Sequence, residues 1–296
     1  MPYFGRSVAF FLFVSKVRKH LLIAPNEVKA PDALTPHNEA ISPPHNSNPM
    51  RYLIALSYDG TNYHGWQVQP HSISVQQKVN EALSLLLRTP IEVTGAGRTD
   101  TGVCAAKMYA HFDAPEIEDV VKLADRLNRV LPQDIAVQYV KQVSEDFHAR
   151  FSATHRTYYY YVYTRKNPFL RHFATQLHYT PDYQLMNEAA KLLLEVSDFT
   201  SFSKLHTDVK TNICKVTRAQ WVQIEGDYWR FEITADRFLR NMVRAVVGTL
   251  LEVGRGRMTI EAFKQVIASK NRCAAGDSAP GKALQIVDVG YEGWDI

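Results

Sequence analysis

The chain has few cysteines and no long apolar run. Its 296 residues include three cysteines, Cys104, Cys214 and Cys273, without CxxC spacing. An odd number without paired spacing argues against a disulfide framework and against a zinc site, so we expect no metal and a reducing, cytoplasmic setting. The longest aromatic and aliphatic run, Val8 to Val14, is far too short to cross a membrane. We therefore expect no membrane span.

The excess of positive charge is also small. The formal net charge is +4, with 46% hydrophobic and 22% charged residues. This composition fits one or two globular domains with a real core. If the partner is a nucleic acid, the basic residues must be concentrated on one surface, because their number alone is not unusual.

Residues 1–49 differ from the rest of the chain. Six prolines stand between residues 25 and 49, with Asn and Ser among them. Such a segment cannot bury enough apolar surface to offset chain entropy, so we expect a disordered extension. A signal peptide is disfavoured because basic residues follow the apolar run and no A-x-A-like cleavage site is present. Met50 directly precedes the first regular pattern, so a start codon set too early is the alternative explanation.

Hydrophobic periodicity predicts alternating strands and helices over residues 50–146. Tyr52, Ile54, Leu56 and Tyr58 alternate as in a strand. Ser74 and Gln77 form a capping-box pattern before a helix with apolar positions at Val75, Val79, Leu83 and Leu86. Further strands are predicted at Ile91 to Thr94, Lys107 to Phe112 and Ile135 to Val143, and a helix near Asp119 to Val130.

Residues 147–296 repeat this mixture. A long strand is predicted from His155 to Thr164, and a helix with Thr180 as N-cap and Pro181 at its first position. The remaining predicted elements are a hairpin at Val216–Thr234, helices near Arg237–Val253 and Thr259–Ser269, and a strand at Leu284–Val289. Two α+β halves with largely antiparallel sheets follow from this order.

A glycine-rich loop from Gly95 to Gly102 has one carboxylate, Asp100, near its end. A dinucleotide-binding loop would need a glycine where Asp100 stands. A phosphate-binding P-loop would need Lys and Ser or Thr where Val103 and Cys104 follow. Two interpretations of Asp100 remain from the loop alone. It is either a carboxylate presented to a ligand or the residue that closes an Asx turn.

The strand from His155 to Tyr163 is rich in tyrosine. Period-two alternation places Arg156, Tyr158, Tyr160 and Val162 on one face and Tyr159, Tyr161 and Tyr163 on the other. Most of these rings are expected in the core. An exposed one would suit stacking on an unpaired base.

Arg237, Arg240, Asn241 and Arg244 stand at i, i+3, i+4 and i+7. Within a helix this spacing predicts a basic stripe on one face. A solvated surface is the ordinary explanation. Arginines without an interleaved acid also suit binding to phosphate or to a carboxylate.

Taken together, the segments from Arg51 to the C-terminus resemble the TruA family of tRNA pseudouridine synthases. The matching stretches, in chain order, are Tyr58 to Gly60, Gly65 to Gln67, Gly97 to Val103, Phe147 to Ala153, Arg156 to Tyr160 and Asn241 to Gly248. Each stretch is weak alone, but their order and spacing are specific. One departure is Cys104, since the family usually has histidine there.

The resemblance implies a role for four residues. Asp100 would be the catalytic aspartate, and Arg244 the arginine that pairs with it and aims it. Tyr158 would stack on the flipped base and help remove the proton at C5. Arg98 would fill the space that the flipped nucleotide leaves. No cofactor is implied, since a carboxylate can attack the sugar or base and leave again.

The resemblance also implies two ferredoxin-like halves, residues 50–146 and 147–296, around a central catalytic cleft. It implies a homodimer and a tRNA substrate, with uridines modified at tRNA positions 38 to 40 in the anticodon stem-loop. The alternatives are a non-catalytic RNA-binding protein on the same scaffold and a glycosidase that releases free base. The glycosidase would commonly need a second acid for the leaving group, and this loop offers only one.

Overall fold

The computed structural model describes residues 49–204 and 211–296. The predicted N-terminal extension therefore lies outside the described residues, except for Pro49. Nine strands and five α-helices form the described part. The strands are β1 Met50–Tyr58, β2 Thr94–Gly95, β3 Cys104–Ala114, β4 Ile135–Gln142, β5 His155–Tyr163, β6 Thr175–Gln176, β7 Val216–Glu225, β8 Tyr228–Ala235 and β9 Leu284–Gly290. The helices are α1 Val75–Leu87, α2 Val120–Val130, α3 Tyr183–Lys191, α4 Met242–Gly254 and α5 Ile260–Ser269.

The strands join in one sheet with the order β4-β1-β3-β9-β5-β8-β7, while β2 pairs with β3 and β6 with β5. All pairs are antiparallel except β3–β9 and β5–β6. The first half has the spatial order β4-β1-β3-β2 and the second β9-β5-β8-β7. Each is the fourth-first-third-second order of a ferredoxin-like βαββαβ unit. The predicted α+β class with mainly antiparallel strands is confirmed.

The two halves meet along one edge of β3. Near its C-terminal end this edge pairs with β2, where Thr94 faces His111 and Gly95 faces Ala110. Near its N-terminal end it pairs with β9, where Cys104 faces Gln285 and Ala105 faces Ile286. Residues 96–103 connect β2 to β3. The aspartate loop therefore lies at the junction between the halves, because β2 and β9 share a single strand edge.

Helix α1 begins as its sequence predicts. The hydroxyl of Ser74 accepts a hydrogen bond from the backbone N–H of Gln77 at 3.2 Å, and Val75, Val79 and Leu83 are buried. Only half of the predicted capping box forms, because the Gln77 side chain donates to Glu81 instead.

The predicted strand from Ile91 to Thr94 is shorter in the structure, where β2 is only Thr94–Gly95. Side chains of α1 take the place of a partner strand. Asn80 accepts from the Val93 N–H at 2.9 Å, and Gln76 donates to the Val93 carbonyl at 2.7 Å. Backbone groups satisfied in this way need no strand partner.

The predicted start of α3 is wrong by two residues. Asp182, not Thr180, is the N-cap, and its carboxylate accepts from the N–H of Leu185 at 2.9 Å. The buried residues of α3 are Met186, Ala189 and Ala190.

The predicted basic stripe on α4 is also wrong. The helix begins at Met242, after Asn241 at φ 66°. Arg237 and Arg240 precede it in irregular chain, so the i, i+3, i+7 relation does not hold. A residue in the left-handed region cannot continue an α-helix, so Arg244 alone among these arginines lies on α4.

Candidate active site

The aspartate loop is held from one side by the segment that follows β1. The N–H of Trp66 donates to the Thr99 carbonyl at 3.3 Å, and the N–H of Gly102 donates to the Tyr63 carbonyl at 3.2 Å. Gly65 has φ +91°, and a Cβ there would stand 2.2 Å from the Thr99 oxygen. Only glycine permits this close approach.

Tyr63 and Trp66 are buried, with 4% and 1% of their surface exposed. Both rings pack in the core and are therefore not placed to stack on a base. Tyr58, at the end of β1, also reaches the loop, since its hydroxyl lies 2.9 Å from the Thr99 hydroxyl. These contacts fix the backbone on both sides of residue 100.

Asp100 faces Arg244, which lies in the first turn of α4. The Arg244 Nη1 donates to Oδ2 of Asp100 at 3.0 Å. The side chains of Arg244 and Asp100 keep 22% and 26% of their surface exposed. The pair is therefore both oriented and open to a ligand.

Arg244 is itself fixed by the segment before β9. Its Nε donates to the Ala279 carbonyl at 2.7 Å, and the Ala279 N–H donates to the Arg244 carbonyl at 3.0 Å. One guanidinium edge is thus used for the backbone and the other for the carboxylate. Charge-assisted hydrogen bonds of this kind are directional, so they hold Asp100 in one orientation.

Tyr158 lies on the inner face of β5, as predicted, with 8% of its surface exposed. Its ring meets Phe238 edge to face, with centroids 5.1 Å apart. Burial raises the pKa of Tyr158 to about 12, the positive charge of Arg156 opposes the rise, and the negative charge of Asp100 adds to it. The phenol is therefore neutral at physiological pH.

Arg98 is exposed on the aspartate loop. Its side chain forms no hydrogen bond or ion pair within residues 49–204 and 211–296. The structure thus brings Asp100, Arg244 and Tyr158 to one place, and leaves Arg98 on the surface beside them.

Arg156 is a residue to which sequence reasoning gave no role. Its guanidinium lies under the aspartate loop with 9% of the residue exposed, and it donates to the Ala96 carbonyl at 3.0 Å. The signal in the sequence was a charged residue at an inward-facing position of a strand. Such a residue is seldom buried without several partners.

Cys104 points away from Asp100 toward the turn after β1. Its sulfur accepts from the Gly60 N–H at 3.4 Å and lies 3.6 Å from Oδ1 of Asp59. Burial raises the pKa of this thiol to about 11, so the side chain is an uncharged packing group. Among the described residues, no group of three or more His, Cys, Asp or Glu side chains is placed to hold a metal ion.

The fold and the site together define a class of protein that has two ferredoxin-like halves and one arginine-paired carboxylate where the halves meet. A family model described as tRNA pseudouridine synthase matches residues 54–152 and 189–292. The chain is 60% identical over 244 residues to tRNA pseudouridine synthase A of Bacteroides thetaiotaomicron, covering 82% of this chain and 91% of that protein. It is 40% identical over 247 residues to the Bacillus subtilis protein of the same name, covering 82% of this chain and all of that protein.

The chain belongs to the tRNA pseudouridine synthase family, and its relatives are of the A type, TruA. This is a family of isomerases. Both matched ranges contain parts of the site, since Asp100 lies in the first and Arg244 in the second.

Proposed function

We propose that this protein is a tRNA pseudouridine synthase in which Asp100 is the nucleophile. The observation that carries the proposal is one partly exposed carboxylate, in a rigid glycine-rich loop, held by Arg244 at 3.0 Å. The family membership of the chain supports the same reaction.

The chemistry needs one reversible nucleophile. The Asp100 carboxylate attacks C1′ of the ribose, the C1′–N1 bond breaks, and uracil leaves with that electron pair. The free base rotates, and C5 attacks C1′ as the carboxylate leaves. The C5 proton is then lost while N1 gains one, so product and substrate are isomers. The covalent intermediate divides one difficult displacement into two easier steps.

Tyr158 suits a positioning role in this scheme. A neutral phenol with a pKa of about 12 is a poor base at physiological pH, so we assign its ring to packing on the rotating uracil. The resemblance also suggested removal of the C5 proton, which the raised pKa disfavours.

Uridine in folded RNA must leave its stack to reach Asp100. Arg98 is exposed two residues before Asp100 and has no side-chain partner in the described part of the chain. We propose that its side chain enters the space that the flipped nucleotide vacates.

We further propose that the substrate uridines are those at tRNA positions 38 to 40 of the anticodon stem-loop, that the enzyme is a homodimer and that it works in the cytoplasm. The tRNA positions and the homodimer are expectations from the resemblance to the family, and the cytoplasm is the expectation from the three cysteines without paired spacing. No helix within the described ranges has the length and apolarity required to cross a membrane.

The test is the fate of an unmodified tRNA transcript. Asp100→Asn keeps the size of the side chain but removes its nucleophilicity, so we expect binding to remain and pseudouridine formation to stop. Asp125→Asn, on the exposed surface of α2, is the matched control and should behave as wild type. Free uracil would indicate a glycosidase instead. Binding without any product from the wild type would indicate an RNA-binding protein.

A further inference from the structure

The buried guanidinium of Arg156 connects three separate segments of the chain. Its Nη1 donates to the carbonyls of Ala153 at 3.0 Å and Asp236 at 2.8 Å. Its Nη2 donates to the carbonyls of Ala96, at 3.0 Å, and Arg150. Ala96 belongs to the segment before Asp100. Arg150 and Ala153 belong to the segment before β5, and Asp236 to the segment after β8. A planar fork with five donors is the only side chain that can satisfy four such carbonyls together.

Each of these three segments presents an arginine close to its bond with Arg156. Arg98 comes two residues after Ala96, Arg150 carries one of the bonded carbonyls, and Arg237 follows Asp236. Arg98 and Arg150 are exposed and Arg237 is half-buried. None of the three guanidinium groups bonds to an acid or a carbonyl within the part of the chain that the structure describes.

Asp236, the acid beside Arg237, accepts the backbone N–H groups of Lys215 and Arg237 and bonds to none of the three guanidinium groups. The three positive groups repel one another. The pKa of Arg150 is lowered by burial, and further by the charges of Arg98 and Arg237, so both of these arginines lie close enough to act on Arg150. Holding like charges together costs free energy in the unliganded protein, and a bound anion offsets that cost. Asp100 is already paired with Arg244 and Asp236 with two backbone N–H groups, so the three guanidinium groups are left without a bonded anion in the described part of the chain.

We propose that Arg150 and Arg237 form a phosphate clamp, which binds the RNA backbone beside the target nucleotide, while Arg98 at its edge enters the space that the flipped nucleotide vacates. Arg156 is the positioning residue of the clamp. This inference rests on the proposed function, because an RNA strand lies along the clamp only if it brings a uridine to Asp100. One guanidinium can bind two phosphate oxygens at once, and a clamp of two arginines fixes the strand without reading its sequence.

Phe151 adds an apolar surface beside the clamp. The side chain is 75% exposed, although its ring packs 4.3 Å from the ring of His148 and 5.7 Å from the Arg150 guanidinium. His148 fixes this corner, since its Nδ1 accepts from the N–H groups of Arg150 and Phe151. An exposed ring at a cationic rim suits stacking on an unpaired base.

The clamp is tested by binding, separately from product formation. Arg150→Gln and Arg237→Gln should each weaken binding of an unmodified tRNA transcript roughly tenfold. Each should also reduce the slope of log affinity against log salt by about 0.7 to 0.9 per lost phosphate contact. Arg126→Gln, exposed on α2, removes the same charge elsewhere and should change neither quantity. Dissociation constants and slopes equal to those of Arg126→Gln would overturn the clamp, even if the wild type forms pseudouridine.

The positioning role of Arg156 is tested by a double-mutant cycle. Arg156→Lys keeps the charge but loses the planar fork, so the three segments should separate. The penalty of Arg150→Gln should then fall from roughly tenfold to under about threefold in the Arg156→Lys background. A full penalty in that background would show that Arg156 only supports the fold. If Arg156→Lys does not fold, the single variants at positions 150 and 237 still decide the clamp.

The stacking surface is tested by Phe151→Ala, with Leu85→Ala as the control for loss of an exposed apolar side chain. We expect binding weakened by roughly tenfold for Phe151→Ala, and restored by Phe151→Tyr because the ring returns. Equal affinities for the Phe151→Ala and Leu85→Ala proteins would remove Phe151 from the site.

Discussion

At the scale of single residues, Arg244 orients the Asp100 carboxylate and leaves part of it open to a ligand. The carboxylate stays partly exposed, while Arg244 is fixed through the backbone of Ala279. A nucleophile works best when its direction of approach is set before the substrate arrives. Under the proposed function, we therefore expect the guanidinium to contribute to the rate through the aim of Asp100, and binding of the tRNA to depend on other groups.

This division predicts the effect of Arg244→Gln. Without the ion pair the carboxylate can rotate, so the single-turnover rate should fall by roughly 100-fold, with a much smaller change in the dissociation constant. Rate and binding are measured on the same tRNA preparation, with Arg126→Gln as the control. A loss confined to affinity would mean that Arg244 binds RNA and does not aim Asp100.

Tyr158 allows a second test at this scale. Because its phenol is neutral, with a pKa of about 12, removing the hydroxyl should matter less than removing the ring. We expect Tyr158→Phe to keep the single-turnover rate within about fivefold, and Tyr158→Ala to lose roughly 100-fold or more. If Tyr158→Phe is as inactive as Tyr158→Ala, the hydroxyl takes part in proton transfer.

At the scale of elements, the site depends on strands that hold loops. His111 on β3 accepts a hydrogen bond through Nδ1 from the N–H of Ala149, at 3.1 Å. This bond attaches the segment before β5 to the first half of the molecule. Burial lowers the pKa of His111 to about 4, with smaller effects of His148 and Arg51 in the same direction and of Asp113 in the opposite one.

The lowered pKa predicts a loss of stability in acid. Unfolded chains bind a proton at this histidine below about pH 6.5, whereas the folded protein does so only near pH 4. Stability should therefore fall by about 1–2 kcal/mol between pH 7.5 and pH 5 from this group. His111→Asn, which can still accept from Ala149, should lose that part of the pH dependence in denaturant titrations. His64→Asn, at an exposed position, should keep it.

Helix α4 provides another element-scale test. A Cβ at Gly248 would lie 1.7 Å from the Asp277 carbonyl oxygen, in the segment that leads to Ala279. Gly248→Ala should push this segment away, lower the stability by about 1–3 kcal/mol, and reduce turnover because Ala279 holds Arg244. Gly226→Ala, in the turn between β7 and β8, meets no atom but strains a backbone at φ +54°, so as a control it should lower the stability without reducing turnover. Unchanged stability at position 248 would show that the segment yields freely.

At the scale of the whole molecule, one sheet runs through both halves, so the junction at β3 and β9 places the site. Residues 1–49 stand apart in composition, and the Bacteroides relative is matched over 91% of its own length by only 82% of this chain. We propose that the chain from residue 50 onward has two halves, residues 50–146 and 147–296, and the extension that the sequence predicts lies outside the described residues except for Pro49.

Deleting residues 1–49 should accordingly leave the melting temperature within about 2 °C and tRNA modification within about twofold, because a proline-rich segment has little apolar surface to bury. Thermal melts, sedimentation and product formation are compared with the full chain. A large fall in melting temperature, or a change in oligomeric state, would show that the segment is structural.

The sequence by itself determined the class of fold, the family and most of the elements. Alternating apolar residues predict β1 and β5, and Ser74 predicts the start of α1, because these features depend on neighbours in the chain. The start of α4 did not follow, since Asn241 adopts a left-handed conformation that no local pattern requires. Because α4 begins only after Asn241, Arg237 and Arg240 lie outside the helix and the predicted stripe does not form.

Only the tertiary structure decided which side chains meet. Asp100 and Arg244 are 144 positions apart, and no periodicity relates them. Their contact exists because β2 and β9 share one edge of β3. Likewise, an arginine on the inner face of β5 is visible in the sequence. Two of its four carbonyl partners belong to the preceding segment, but Ala96 and Asp236 are 60 and 80 positions away. Short-range patterns record backbone preference, whereas a site depends on long-range packing that brings loops to one junction.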